Sequence, residues 1–368
     1  MKNRLTKIFA TTLIPMASIA MIFTAGCSEQ GAKSPSGSGA AASVTSQAKP
    51  IQVGWMTSWV TAGQIIQAMI HTNVGTLYGA PLVFRSFLFG PDINEAALHG
   101  EVDCVNNGLV PTISLLAASP DWVVVSRLSD SPISIIAGNH SNIKTIADLK
   151  GKSIAVPFGG GSHPYVLQRL EEAGLKIGDG PDQVHLVNLK PDDQATAMQQ
   201  GNVDAVGTWE PQTAIMVVRG LGKVIDCERH IGVVTVRKSI ATKHPASIVK
   251  LLKCYIEANY YVAGHELQAY KWFTTAARID DDLRQQIKVI EPNTKAKAAK
   301  DINIDLTDKD LALGQRFADT MCKAELIPTA VDFKSRTDLS FLEQAKKELA
   351  TEGFKSGQVM ETPPETSK

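Results

Sequence analysis

The chain reads as an α/β fold of two lobes, each with a mainly parallel sheet flanked by helices, hinged by two crossovers. Three observations lead there. Strand-like and helix-like segments alternate from residue 51 onward, the pattern of parallel sheets covered by helices. Glycines follow the helical stretches at Gly100, Gly174 and Gly201, where a left-handed stop is needed. Finally, 233–236 reads as a strand running back towards the first unit. Both parts of the chain outside the middle then build one lobe, and the middle is an insertion.

Taken in order, 51–55 is a strand and 63–72 a helix, with Ile65, Ile66, Met69 and Ile70 on one face. Strand 82–88, helix 92–99, strand 102–105 and helix 111–118 follow, then strands 122–127 and 133–137. The second unit starts near Gly138. It holds a short helix and turn at 146–152, strand 153–157, a helix ending at Ala173, strand 184–189, helix 192–200 and strand 203–208. Strand 223–226 precedes the return strand, and helices dominate 244–352. The expected organisation is therefore lobe 1 from 51–137 and 232–354, lobe 2 from 138–231, and a disordered tail at 355–368.

Before residue 51 the chain has a different character. Lys2, Arg4 and Lys7 precede an apolar run at 8–23, which ends in Thr24, Ala25, Gly26 and Cys27. Charge, apolar run and small residues are the three parts of a secretory signal. A Cys after the small residues marks a bacterial lipoprotein, with Thr24 where such signals usually carry Leu. Residues 1–27 are read as signal and lipobox, with Cys27 the lipidated residue. The Gly-, Ser-, Ala- and Gln-rich stretch 28–50 buries too little apolar surface to offset its ordering entropy, and reads as a flexible tether. The expected location is outside the cytoplasmic membrane, lipid-anchored, on the periplasmic or outer cell-surface side.

Composition narrows the partners. Lys plus Arg and Asp plus Glu both total 37, for zero net charge, which gives no basic stripe for nucleic acid. The body of about 300 residues is long enough for two cored lobes. Besides Cys27, four cysteines are scattered at 104, 227, 254 and 322. They have no zinc-ligand spacing, and either one disulfide or free thiols fits them. No metal and no cofactor are expected, and a monomer is.

Several segments resemble the type II periplasmic-binding-protein-like receptors that include sulfonate, taurine and nitrate receptors and the NMT1/THI5-like pyrimidine binders. They are 98–103 (LHGEVD), 143–156 (IKTIADLKGKSIAV), 198–205 (MQQGNVDA) followed by Trp209, Glu210 and Pro211, and Lys243, His244 and Pro245 before a helix. Their order and spacing carry the likeness across 51–352. The resemblance implies a hinged receptor that hands a small solute to an ABC permease and its ATPase, with lipid as the second partner through Cys27.

The expected ligand-binding residues follow strand ends, where open α/β sheets bind. Gly160, Gly161, Ser162 and His163 follow a strand and open a helix. Glycines admit close backbone approach, and a helix start favours anions. Ser162 is an N-cap or a ligand donor, and His163 an anion donor or a loop residue. Ser58 and Trp59 follow the first strand, and Trp59 covers the ligand or packs in the core. Gly90, Asn106 and Asn107 follow the next two strands, where turn chemistry also favours Asn and Gly. Thr208, Trp209 and Glu210 follow a second-lobe strand, with Trp209 suited to stacking and Glu210 to a ligand amine or to bracing the hinge.

A receptor for a small organic anion, alkyl sulfonate- or taurine-like, is the first reading. A thiamine-precursor pyrimidine or other heteroaromatic is the second. A sensor role and a THI5-like enzyme are the readings from other classes. The enzyme relatives pair a Cys-rich segment with a catalytic His, and this chain has no Cys cluster.

Overall fold

The computed structural model describes residues 49–363. The signal, lipobox and nearly all of the tether lie outside the described residues, as do 364–368.

The strands are β1 (Ile51–Met56), β2 (Leu82–Phe87), β3 (Cys104–Gly108), β4 (Trp122–Gly138), β5 (Ser153–Val156), β6 (His185–Asn188), β7 (Ala205–Trp209) and β8 (Gly222–Arg237). They form one sheet in the order β2-β1-β3-β8-β4-β7-β5-β6. β1 runs parallel to β2 and β3, and β5 parallel to β6 and β7. All antiparallel pairings involve the two long central strands, β4 and β8.

The helices are α1 (Val60–His71), α2 (Val74–Leu77), α3 (Gly90–Leu98), α4 (Leu109–Ala118), α5 (Ser162–Glu172), α6 (Pro191–Gln199), α7 (Gln212–Val218), α8 (Lys238–Lys243), α9 (Pro245–Gly264), α10 (Glu266–Ala277), α11 (Asp308–Lys323) and α12 (Ser340–Glu352). Gly100 takes φ 80° just after α3, the left-handed stop its position predicts. α11 starts in a reciprocal cap. Thr307 Oγ1 accepts from the Asp310 N–H at 3.3 Å, and the Asp310 carboxylate accepts from the Thr307 N–H at 2.9 Å.

The main difference from expectation lies in the centre of the sheet. Residues 122–127 and 133–137 are one 17-residue strand, and 223–226 and 233–236 are one 16-residue strand. Ser126 to Pro132 reads as a polar interruption, and Asp226 to His230 as another. Tertiary partners keep both extended. The Arg127 guanidinium donates to Asp130 at 2.9 Å, to Glu291 at 2.7 Å and to the Asn303 carbonyl. Arg229 donates to Asp130 at 2.7 Å and to Asp310 at 2.8 Å. A polar run with its charges paired, buried on β4 and half-buried on β8, is compatible with a central strand.

The lobe boundary moves accordingly. Ile133 to Ala137 pairs with β7 and so belongs to the second lobe, whereas Trp122 to Arg127 pairs with the part of β8 that also borders β3. The lobes meet inside the two long strands, near residues 130 and 231, instead of at 138. One core packs both sides of that junction, and a smaller cluster around Ile136, Met198, Val206 and Met216 fills the outer side of lobe 2.

The expected tail disorder is also corrected for 355–363. The Lys355 N–H and Ser356 Oγ donate to the buried Glu257 at 2.7 and 2.5 Å, and Tyr261 donates to Glu361 at 2.9 Å. A carboxylate on a helix thus anchors a segment whose composition is that of a loop. Cys104, Cys227, Cys254 and Cys322 are free thiols. Burial pushes Cys104 and Cys254 up to about 12, which makes both unreactive.

Candidate functional site

A small, part-open cavity lies between the lobes, lined by Met56, Trp59, Gly90, Gly108, Pro111, Ser131, Ile133, Gly160, Gly161, Trp209 and His230. Every lobe strand that reaches it does so by the end that leads into a helix. Trp59 precedes α1, Gly90 opens α3, Gly108 precedes α4, and Gly161 precedes α5. Four helix starts therefore converge on one space, three from lobe 1 and one from lobe 2. None of the four has a side-chain cap, and the first N–H groups of a helix are its unsatisfied donors. Each helix start carries a partial positive charge worth about 0.3–2 kcal/mol to a nearby anion. Among the described residues the lining holds no lysine, arginine, aspartate or glutamate.

The floor of the cavity is the hinge itself. Ser131 on β4 and His230 on β8 are directly opposed partners, so their side chains share a face. His230 is 4 % exposed, and neither ring nitrogen has a protein partner; the same holds for Ser131 Oγ. Burial, with a smaller push from Arg229, lowers His230 to about 4, so the imidazole is neutral at physiological pH. A Cβ on Gly108 would lie 2.5 Å from His230 Nε2, and one on Gly161 3.1 Å. Glycine at both helix starts is what lets the ring touch both lobes.

The walls are apolar. Trp209 lies across from Trp59, and its indole N–H donates to the Ser58 carbonyl at 2.8 Å, a bond from lobe 2 to lobe 1. Lys190 of lobe 2 lies 5.8 Å from the centre of the Phe89 ring of lobe 1, a second contact between the lobes.

Of the residues expected at the site, Trp59, Gly90, Gly160, Gly161 and Trp209 line the cavity. Trp59 and Trp209 are also buried in the core, so Trp59 packs in the core while one side of it borders the cavity. Ser58, Asn107 and Thr208 lie beside the lining and outside it; each is buried with one side-chain oxygen unpartnered by protein.

Four residues are spent elsewhere. Asn106 is fixed between the Gly54 carbonyl at 3.0 Å and the Tyr255 hydroxyl at 2.7 Å. Ser162 Oγ donates to the Gly207 carbonyl at 2.9 Å, which ties α5 to β7. His163 stacks on Phe158 with centroids 4.4 Å apart. Glu210 accepts from the Ala214 N–H at 3.1 Å and the Lys288 N–H at 3.2 Å, so it ties α7 to the later segment around Lys288. Burial pushes its carboxyl up to about 7, against those two bonds.

Met56, Gly108, Pro111, Ser131, Ile133 and His230 line the cavity without having been expected there. For His230 and Ser131 the signal was strand alternation. Had 222–237 been read as one strand, His230 and Gly232 would have fallen on one face and Arg229 and Ile231 on the other.

Residues 45–272 match the NMT1-like family. A putative aliphatic sulfonates-binding protein of Escherichia coli strain K12 is 29 % identical over 256 residues, 68 % of this chain and 77 % of that protein. The taurine-binding periplasmic protein of the same organism is 32 % identical over 203 residues, 51 % of this chain and 60 % of that one. Among solved structures, the periplasmic aliphatic sulphonate binding protein of Escherichia coli superposes with a TM-score of 0.64 at 24 % identity, over 78 % of this chain and 91 % of that one. The same fold is found in a desulfurization enzyme, with a TM-score of 0.58 at 14 % identity over 81 % of this chain and 99 % of that one.

Proposed function

The chain belongs to the NMT1-like family, and from that premise we propose that it is the exported solute receptor of an ABC importer, taking a small organic anion of the alkyl sulfonate type into the interlobe cavity. The observation that carries this reading is the convergence of four helix starts on a space with no cationic side chain. Such a site favours an anion through main-chain dipoles, and Met56, Pro111, Ile133 and the two tryptophans suit an apolar tail. Aliphatic sulfonates in the names of the relatives support the same class.

The heteroaromatic reading keeps Trp59 and Trp209 in the lining but loses Glu210, which faces the backbone of Ala214 and Lys288. The receptor reading also outweighs the enzyme one. The titratable group in the lining is a single neutral imidazole, with no second acid or base beside it to share a proton. Acylation of Cys27 would hold the receptor at the membrane as a monomer on its tether.

Calorimetric titration of the purified chain with a short alkanesulfonate tests the reading. Binding is expected, and at about 100 times Kd the folded state gains about 2.7 kcal/mol. No heat with any sulfonate, together with binding of a pyrimidine, would contradict it. For the anchor, Cys27→Ala is expected to move the protein from the membrane to the soluble fraction.

A further inference from the structure

Ser131 and His230 are the polar side chains of the two hinge strands that line the cavity. Residues on the other face of the same strands, Asp130 and Arg229, are fully engaged. Ser131 and His230 are both buried in the lining, and Ser131 Oγ and the two His230 ring nitrogens have no protein partner; Ser126 and Ser129 of β4 share that lack but lie outside the lining. Polar groups that far from water cost stability unless something pairs with them. His230 also lies against the starts of α4 and α5 through Gly108 and Gly161, so a group resting on it reaches donors of both lobes.

We propose that Ser131 and His230 seat the head group of the solute and restrict it to a monoanion. This rests on the proposed receptor function and narrows it. Ser131 donates its hydroxyl proton, and the imidazole donates its one N–H; the other ring nitrogen is left for a water or a solute donor. Both donors are neutral, as the depressed basicity of His230 requires. The helix starts offset roughly one negative charge. A second charge on the head would be desolvated without a counter-ion, which is costly. The floor thus separates sulfonate-like heads from doubly charged phosphate-like heads of similar shape.

The test compares hexanesulfonate with hexyl phosphate, whose second ionisation lies near pH 6, by calorimetry at about pH 5 and about pH 8. Sulfonate affinity is expected to stay within about threefold, while phosphate affinity falls at least about tenfold as the dianion forms. Because both ligands meet the same titrating protein groups, including Glu210, the ratio of the two isolates the ligand charge. His230→Leu is expected to weaken sulfonate binding by about thirtyfold or more, whereas His230→Gln, which restores an N–H donor, stays within about fivefold of the native protein. Ser131→Ala costs about tenfold. Equal affinity for the phosphate at both pH values, or full sulfonate affinity in the His230→Leu protein, would overturn the proposal and leave the receptor reading standing. Absence of binding by any anion to the native protein would overturn both.

Discussion

The two faces of the hinge make an instructive pair. β4 and β8 cross between the lobes side by side, and successive residues point to opposite faces. On one face Arg127, Asp130, Glu291, Arg229 and Asp310 form a network in which each charge has an opposite partner. On the other face Ser131 and His230 have none within the protein. The same strands therefore carry a polar cluster that holds the fold and a polar pair that the fold leaves open. Ser126 and Ser129 of β4 are likewise buried without a protein partner, so what sets Ser131 and His230 apart is their place in the cavity lining.

The comparison is broken most strongly on the closed face. Glu291→Ala leaves the buried Arg127 guanidinium short of its main partner, and loss of about 3–5 kcal/mol of stability is expected, measured by urea unfolding. His230→Leu, on the open face one strand away, is expected to change stability by less than about 1 kcal/mol or to raise it. Similar losses in the two variants would erase the distinction.

The second effect is pH dependence through Glu210. An unfolded glutamate titrates near 4.3, whereas the folded carboxyl is held up at about 7 by burial. The folded protein therefore binds this proton more tightly. Its stabilising contribution is complete below the unfolded value and is lost as the pH rises to about 7, by about 3 kcal/mol. Glu210→Gln should flatten that decline in urea midpoints taken across the range; parallel curves for the two proteins would contradict the assignment. The smallest effect belongs to the exposed pair of Lys323 with Glu171, 2.5 Å apart on α11 and α5. Lys323→Ala should cost no more than about 0.5 kcal/mol, since solvent screens the pair.

How much of this the chain discloses in one dimension depends on the range of the interactions involved. Local signals carried the peripheral elements. Gly100 stops α3, and Ile65, Ile66 and Met69 mark the buried face of α1. Gly160 and Gly161 and the tryptophans at 59 and 209 were legible as residues near the cavity because strand-to-helix turns are themselves local features. The hinge was not legible. Its polar residues look like loops until Glu291, Asn303 and Asp310 arrive from more than 80 positions away. His230 was hidden for the same reason, between Arg229 and Ile231 in a run with no motif. Ser162 and Glu210 misled because a donor or an acid at a strand end reads equally as a ligand contact or as a brace. Only the positions of Gly207, Ala214 and Lys288 give these two side chains their partners within the protein.

A crystal structure of the protein grown with a short alkanesulfonate tests the central claim most directly. The account predicts one sulfonate oxygen within about 3.2 Å of a ring nitrogen of His230 and of Ser131 Oγ, with the carbon chain against Trp59 and Trp209. A head group bound to the Arg127 and Arg229 network instead, or a sulfonate seated outside the interlobe cavity, would contradict it.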